Sequence, residues 1–112
     1  LFVFSDRTKV YYTNINEFGA FDLILSDISP NLSGNKTSDF LQSKEIVENA
    51  LDFSIKNLRK DGNFVAKYFR TGDISDLLST AKKNFDKVSS FKPKSSRIES
   101  SEIYLVCLRK KH

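Results

Sequence analysis

The sequence predicts an α/β fold built on a largely parallel sheet, and three observations support this prediction. A continuous apolar run, Leu23–Leu25, is typical of a strand that is buried on both faces. Strand-like and helix-like stretches alternate along most of the chain, which favours helices on both faces of the sheet and right-handed crossovers. A loop too short for a helical crossover joins the last two strands, so these two should pair antiparallel or lie near each other with opposite direction.

The first half of the chain contains three short strands. Leu1–Ser5 and Val10–Ile15 are rich in apolar, β-branched and aromatic residues, which are common in strands, and Leu23–Ser26 is the third. Asp27 follows the third strand directly. Residues Ser29–Ser38 are rich in Pro, Asn, Ser and Gly, and this composition predicts a loop.

An amphipathic helix of about 20 residues follows this loop, because apolar residues recur there at steps of three and four. Ser38 or Asp39 can cap its beginning, and Asp61-Gly62 should end it. The fourth strand is then predicted at Asn63–Phe69, which is apolar except for one lysine.

A second, shorter helix begins at a cap formed by Asp73 or Ser75. Its apolar positions again follow a helical period. Two strands complete the domain, Lys87–Lys92 and Ile103–Leu108. The predicted order is therefore β-β-β-α-β-α-β-β.

The composition fits a single globular domain over residues 1–112. Charged residues make up 29% and hydrophobic residues 39%, and no apolar run approaches the ~20 residues that a membrane helix needs. Cys107 is the only cysteine, which excludes an internal disulfide, and it is expected to be a buried small hydrophobe. We therefore expect an intracellular, cytoplasmic protein with no membrane partner. His112 is the only histidine, so no His-based metal or nucleophile site is expected.

The net charge of +4 and the pI of about 9.2 suit a polyanionic partner such as RNA, although many ordinary domains carry such a charge. The basic residues are unevenly distributed. Nine of them lie in the C-terminal third: Lys82, Lys83, Lys87, Lys92, Lys94, Arg97, Arg109, Lys110 and Lys111.

Three ionisable residues interrupt or border the apolar strands. Asp27 follows the third strand, Lys67 lies late in the fourth, and Glu102 opens the sixth. If the sixth strand runs antiparallel to the fourth, all three meet at one edge of the sheet, where open α/β sheets bind ligands. A turn residue or a solvent-reaching lysine would explain any one of them alone. Their combination favours a shared site.

The longer motifs around these residues carry a family resemblance. The stretches are DLILSDISPNLSG, LRKDGNFVAKYF and FKPKSSRIESSEIYLVC. Together they resemble the FtsJ/RrmJ family of ribose 2′-O-methyltransferases over nearly all of the chain from Phe21 onward. The resemblance implies a doubly wound, Rossmann-like methyltransferase sheet, mostly parallel with an antiparallel strand near the C-terminus.

The resemblance also implies site residues. The family's active site is a Lys-Asp-Lys-Glu tetrad, in which Asp27, Lys67 and Glu102 take the last three places, with Glu99 as a competitor for the glutamate. The first lysine, the first strand and a Gly-rich cofactor loop are expected upstream, so we expect the N-terminal part of the domain to be missing from this chain.

The implied cofactor is S-adenosylmethionine. Asp6, Asn16 and Asp27 are the candidate cofactor-binding residues, with Asn16 in place of a more usual aspartate. Tyr68 or Phe69 could stack a base, but aromatic residues in strands more often belong to the core. The candidate RNA-binding residues are Lys36, Lys92, Lys94, Ser96 and Arg97.

The implied reaction is methyl transfer to an RNA ribose 2′-hydroxyl, most commonly in large-subunit ribosomal RNA, with Lys67 as general base. A free lysine has a pKa of about 10.4. Burial and a nearby sulfonium should lower the pKa of Lys67, whereas Asp27 and Glu102 should raise it. Two alternatives stay open at this point: a non-catalytic RNA-binding or scaffold remnant of the fold, and a nucleotide-binding subunit of another α/β type.

Overall fold

The computed structural model describes residues 2–5, 10–12, 21–27, 34–69, 73–92 and 102–112, and for 2–5, 10–12, 36, 69 and 102 it describes the backbone only. These residues form one six-stranded sheet in the order β2-β1-β3-β4-β6-β5, together with two α-helices. The strands are β1 (Phe2–Ser5), β2 (Val10–Tyr12), β3 (Phe21–Asp27), β4 (Leu58–Phe69), β5 (Phe85–Phe91) and β6 (Glu102–Lys110). The helices are α1 (Lys36–Asn57) and α2 (Ser75–Asn84).

The strand directions match the predicted sheet. β1, β3 and β4 pair in parallel, and β6 runs antiparallel to both β4 and β5. Consequently β1, β3, β4 and β5 point the same way, and β6 is the predicted antiparallel strand. The structure adds a second reversed strand, because β2 pairs antiparallel with β1 at the edge of the sheet.

Side chains alternate between two different faces of the sheet. One face carries fully buried residues such as Ile24, Phe64, Leu105 and Cys107, which pack under the helices. The opposite face carries half-buried residues of the same strands: Leu23, Leu25, Val65, Val106 and Leu108. We call this second face the open face, because neither described helix packs on it.

Among the described residues, both helices pack on one face of the sheet, whereas helices on both faces were expected. α1 packs on β3 and β4, α2 packs on β5, and the two helices contact each other. The reason is the order of the strands. The chain moves from β3 to β4 and then onward to β5 in the same direction across the sheet, so two right-handed crossovers place both helices on the same side.

The helix ends differ in detail from the prediction. Asn35, rather than Ser38 or Asp39, is the N-cap of α1: its backbone is extended and its Oδ1 accepts a hydrogen bond from the backbone N–H of Ser38 at 3.0 Å. At α2, Asp73 Oδ1 accepts from the N–H of Ser75 at 2.9 Å, although Ile74 occupies the cap position itself.

Asp61-Gly62 lies inside β4 and does not end the helix. α1 ends at Asn57, and Leu58 already pairs with Phe21 of β3 before the register shifts around residues 59–62. Asp61 adopts a positive φ of 67°. A Cβ on Gly62 would lie 2.9 Å from the carbonyl oxygen of Arg59 and 3.3 Å from that of Asp22. A side chain at position 62 would therefore force the surrounding backbone to shift, which explains the glycine in this irregular stretch of β4.

Candidate active site

The carboxyl ends of β3 and β4 bring an acid and an amine together. The parallel register pairs Ser26 with Ala66, so Asp27 and Lys67 are the next residues on the two strands. Both lie on the open face, because side chains one residue further along point to the opposite face from the buried Ser26 and Ala66. Lys67 Nζ lies 3.1 Å from Asp27 Oδ1.

The two partners differ in exposure. The Lys67 side chain is only 11% exposed, whereas that of Asp27 is 49% exposed. Asp27 Oδ1 itself is buried and accepts no well-aligned hydrogen bond from the described part of the chain. The contact is therefore an ion pair that rests on charge attraction and not on a well-aligned hydrogen bond. The exposed remainder of the Asp27 carboxylate is open to a further partner.

β6 adds the third predicted residue to the same edge. Its antiparallel register pairs Tyr104 with Lys67 and Glu102 with Phe69. The backbone of Glu102 is therefore a diagonal neighbour of Lys67, at roughly 7–8 Å, a separation that long side chains bridge. The predicted convergence of the three positions on one edge of the sheet agrees with this register, and their catalytic roles remain predictions.

The other predicted site residues are placed unevenly. Lys36 is the first residue of α1, and Lys92 directly follows β5 and is half-buried. Both lie at the end of the sheet that carries Asp27 and Lys67, since β5 runs parallel to β4 and α1 follows β3. The remaining candidates lie outside the described residues: Asp6, Asn16, Lys94, Ser96, Arg97 and the competitor Glu99.

Cys107 is a core residue, as expected. It is fully buried, and desolvation raises the pKa of its thiol to about 12, so it is not poised to act as a nucleophile. Within the described ranges, no group of His, Cys, Asp and Glu side chains could hold a metal ion. No helix found there is long and apolar enough to span a membrane.

Two aromatic residues near the site are not among the candidates that the sequence patterns indicate. Tyr104 lies directly opposite Lys67, and Phe91 at the end of β5 lies directly opposite Tyr104. Phe91 is 56% exposed. A signal for Tyr104 was its position two residues after Glu102 on one strand. Phe91 had no such signal, because its face depends on the pairing of β5.

Tyr68 does not suit the stacking role that was considered for it. It is buried against the helices, and its hydroxyl lies 3.3 Å from Ser90 Oγ. The side chain of Phe69 lies outside the described residues.

Comparison with known proteins identifies the family. A family model for the FtsJ-like methyltransferases matches residues 3–110. The chain belongs to the FtsJ-like methyltransferase family. This membership confirms the resemblance drawn from the motifs around Asp27, Lys67 and Glu102.

Curated relatives and solved structures agree with this assignment. Ribosomal RNA large subunit methyltransferase E from Francisella philomiragia is 44% identical over 102 residues, which cover 91% of this chain and 50% of the relative. The protein of the same name from Francisella tularensis subsp. novicida matches equally well. The chain therefore spans about half the length of the curated relatives it matches.

A crystal structure described as a ribosomal RNA methyltransferase from Plasmodium falciparum superposes with a TM-score of 0.71 at 32% identity, covering 81% of this chain and 47% of that one. An alphavirus P23pro-zbd structure matches with a TM-score of 0.64 at 20% identity, covering 81% of this chain and 14% of that chain, and shows the fold alone. The Rossmann-like α/β sheet of a methyltransferase is thus confirmed.

Proposed function

We propose that this FtsJ-like chain is part of an S-adenosylmethionine-dependent enzyme that methylates a ribose 2′-hydroxyl in large-subunit ribosomal RNA. The observation that carries the proposal is the ion pair between Lys67 and Asp27 at the carboxyl ends of two parallel strands. Relatives at 44% identity that are named ribosomal RNA large subunit methyltransferase E support the RNA substrate.

A ribose hydroxyl is a weak nucleophile, and it must lose its proton as its oxygen forms the new bond. Lys67 is the residue that we assign as proton acceptor, and it acts in the neutral form, after its ammonium has released one proton to solvent. Its side chain is nearly buried, and its amine lies within contact of a carboxylate that also reaches solvent. The cofactor, when bound, would supply a methyl group on a positively charged sulfonium, a charge that disfavours a second positive charge on a nearby amine.

Asp27 and Glu102 are assigned positioning roles. Asp27 Oδ1 holds Nζ of Lys67 at 3.1 Å, and the exposed part of the carboxylate can accept a hydrogen bond from the incoming hydroxyl. Glu102 approaches from the neighbouring strand, at a position diagonal to Lys67. Correct alignment of a nucleophile and its base contributes a large part of such a rate enhancement.

The cofactor site that we propose lies where β1 and β3 end side by side. Ser5 pairs with Asp27, and nucleotide-like ligands bind at such carboxyl ends of parallel strands. The half-exposed Asp27 carboxylate fits a ligand with ribose or amine donors. Asp6 and Asn16 are proposed as further ligands from the residues that follow β1 and β2.

The proposed RNA contacts lie at the same end of the sheet. Lys36 and Lys92 would contact the phosphate backbone, together with Lys94, Ser96 and Arg97 of the segment after β5. Such contacts position RNA without reading its sequence, and a 2′-hydroxyl target itself requires RNA rather than DNA.

The test is a methyl-transfer assay with the complete natural protein. Large-subunit ribosomal RNA is incubated with methyl-labelled S-adenosylmethionine, and the labelled nucleoside is identified after digestion. We expect a 2′-O-methyl nucleoside. A synthetic RNA of the mapped site carrying 2′-deoxyribose at that nucleotide serves as the matched control and should accept no label.

Two results would contradict the proposal. Label on a base, or label that survives the 2′-deoxy substitution, would exclude ribose methylation at that site. Binding of the RNA without any transfer would favour the non-catalytic RNA-binding alternative.

A further inference from the structure

Four residues form one row across the open face, perpendicular to the strands. Asp27 follows the paired residue Ser26 on β3, Lys67 lies beside it on β4, Tyr104 pairs with Lys67, and Phe91 pairs with Tyr104. The acid–amine pair at one end of this row is thus continued by two aromatic side chains at the other. We call Tyr104 and Phe91 the aromatic shelf.

We propose that the aromatic shelf stacks a nucleobase of the acceptor RNA while the ribose to be methylated lies at Lys67. This inference rests on the proposed function and names a base-contacting site within it. Proteins recognise unpaired RNA by stacking splayed-out bases on aromatic side chains. The shelf offers two such side chains beside the proposed acceptor site.

The exposure of Phe91 supports this proposal. It is 56% exposed, and among the described residues only Leu41 is a comparably exposed large hydrophobic side chain, at 57%. A single exposed apolar residue is ordinary on a protein surface. Phe91 differs from Leu41 in its position, because it lies in the row of the ion pair, whereas Leu41 lies on α1.

The alternation of side chains along β5 determines which face of the sheet carries Phe91. Ser90 points to the helix-covered face, where its Oγ contacts the hydroxyl of buried Tyr68. The next residue along a strand points to the other face. Phe91 therefore shares the open face with Tyr104 and Lys67.

The spacing suits a nucleotide. Lys67 and Phe91 are separated by two strand spacings, about 10 Å. This separation is too long for a ribose and its own base, which are bonded directly, and suits a ribose and the base of an adjacent nucleotide. Half-buried Lys92 follows Phe91 directly, and we have assigned it to a phosphate.

The experiment compares substitutions at the two exposed apolar positions in the complete natural protein. Phe91→Ala, Phe91→Leu and Phe91→Trp are measured beside Leu41→Ala, the control with equal exposure. The probe is a synthetic RNA of the mapped site, in which 2-aminopurine replaces single bases around the methylated nucleotide. Its fluorescence reports both binding and stacking.

We expect Phe91→Ala to raise the Kd and KM for RNA about 5- to 150-fold, the loss of one base stack, with kcat nearly unchanged. Phe91→Leu should raise the Kd and KM for RNA by a similar factor, because leucine keeps the apolar area but has no aromatic ring on which a base can stack. Phe91→Trp should bind as tightly as wild type and quench 2-aminopurine at one position. Leu41→Ala should change nothing.

An abasic-site scan makes the test independent of folding effects. At the stacked nucleotide, removal of the base should weaken wild-type binding, and Phe91→Ala should add no further loss. A loss that is equal for Phe91→Ala at every abasic position would overturn the shelf, as would wild-type RNA affinity of Phe91→Ala or Phe91→Leu.

These outcomes separate the two proposals. If ribose methylation occurs and the Phe91 variants bind normally, the shelf is wrong and the proposed function stands. If the label maps to a base and not to a ribose, but the aminopurine signal at that site depends on an aromatic residue at position 91, the shelf stands as an RNA-binding site and the proposed function is wrong.

Discussion

Two lysines with nearly buried side chains lie at opposite ends of the same sheet. Lys67 lies at the carboxyl ends of β3 and β4 and contacts Asp27. Lys110 lies at the last position of β6, beside the beginning of β4, and donates a hydrogen bond to the backbone carbonyl of Leu58 at 2.7 Å. One amine faces a carboxylate, and the other faces a carbonyl.

The group that each buried amine contacts indicates whether the lysine has a structural role or belongs to a candidate site. Desolvation lowers the pKa of Lys110, the effect expected for an amine removed from water. Its hydrogen bond ties the end of β6 to the junction between α1 and β4, a structural role. Lys67 has a carboxylate partner that remains half exposed at the carboxyl ends of parallel strands, where open α/β sheets commonly bind ligands. A buried lysine alone is therefore not evidence for a site. The exposed acid and the strand ends distinguish Lys67.

The largest expected effect follows from this contrast. Lys67→Arg keeps a positive charge beside Asp27 but cannot accept a proton near neutral pH, and Lys67→Ala removes the amine. We expect both variants of the complete natural protein to lose methyl transfer by about 100- to 10,000-fold, the usual contribution of a general base. Calorimetry should show that S-adenosylmethionine still binds.

Lys110→Met is the matched control, because it removes a buried amine at the other end of the sheet. It should retain methyl transfer per folded molecule. Appreciable turnover by Lys67→Arg would remove Lys67 from the base role and leave it as a partner of Asp27.

The second effect concerns the end of the sheet that holds Lys110. Gly62→Ala would place a Cβ 2.9 Å from the Arg59 carbonyl oxygen, in a position surrounded mostly by backbone. We expect a loss of about 1–3 kcal/mol in the free energy of unfolding, measured by urea denaturation, because overpacking forces backbone shifts.

Gly34→Ala offers a comparison with a different cause. Gly34 has a φ of +85°, and a Cβ at this position would have no atom within 4 Å. Gly34→Ala should therefore lower the free energy of unfolding by about 1 kcal/mol, from backbone strain alone. Equal stability of Gly62→Ala and wild type would show that the β4 turn adapts without strain.

The same contrast shows what the sequence could and could not predict. The apolar run of β3 and the helical period of α1 are local patterns, so the order of elements and the antiparallel β6 were predictable. The convergence of Asp27, Lys67 and Glu102 on one edge followed from the strand directions. These features depend on chain order, which a sequence displays directly.

Features that depend on register or on crossover direction were missed. The exposure of Phe91 depends on its pairing with Tyr104, and the single helix-covered face depends on the spatial order of the strands. Lys110 was counted among the basic residues of the C-terminal third, where a solvated charge is the ordinary expectation. Only its contact with the Leu58 carbonyl distinguishes it.

A third prediction concerns Lys110 and alkaline pH. Because its folded pKa is below its unfolded pKa of about 10.5, the unfolded chain binds more protons between the two values, and stability should rise with pH there. Lys110→Met should lose about 1 kcal/mol at pH 7, because the Leu58 carbonyl loses its donor. The deficit should widen toward pH 10.5 in urea denaturation.

Lys110→Arg is the control. Arginine stays charged over this pH range, so the stability of this variant should not rise with pH in the way expected for wild type. A deficit of Lys110→Met that narrows with rising pH would contradict the inferred desolvation of the amine.

The smallest effect lies at the Lys67 end, where Asp73 accepts a hydrogen bond from the first residue of α2. The hydrogen bond from Ser75 favours the charged carboxylate and lowers the pKa of Asp73 below 3.8. Its contribution to stability is therefore fully present above that value and is lost as the pH falls through the folded pKa. Acid titration of unfolding should show the difference between wild type and Asp73→Ala shrinking below pH 3.8. Asp73→Asn keeps an acceptor that does not titrate, so its stability relative to Asp73→Ala should stay constant there.

Both Asp73 and Lys110 have lowered pKa values, but hydrogen bonding stabilises the charge of the first and burial destabilises the charge of the second. Because the two pH ranges are far apart, an acid titration and an alkaline titration measure the two ends of the sheet separately. If the stability difference between wild type and Asp73→Ala grows in acid, the hydrogen bond from Ser75 does not stabilise the charged carboxylate of Asp73.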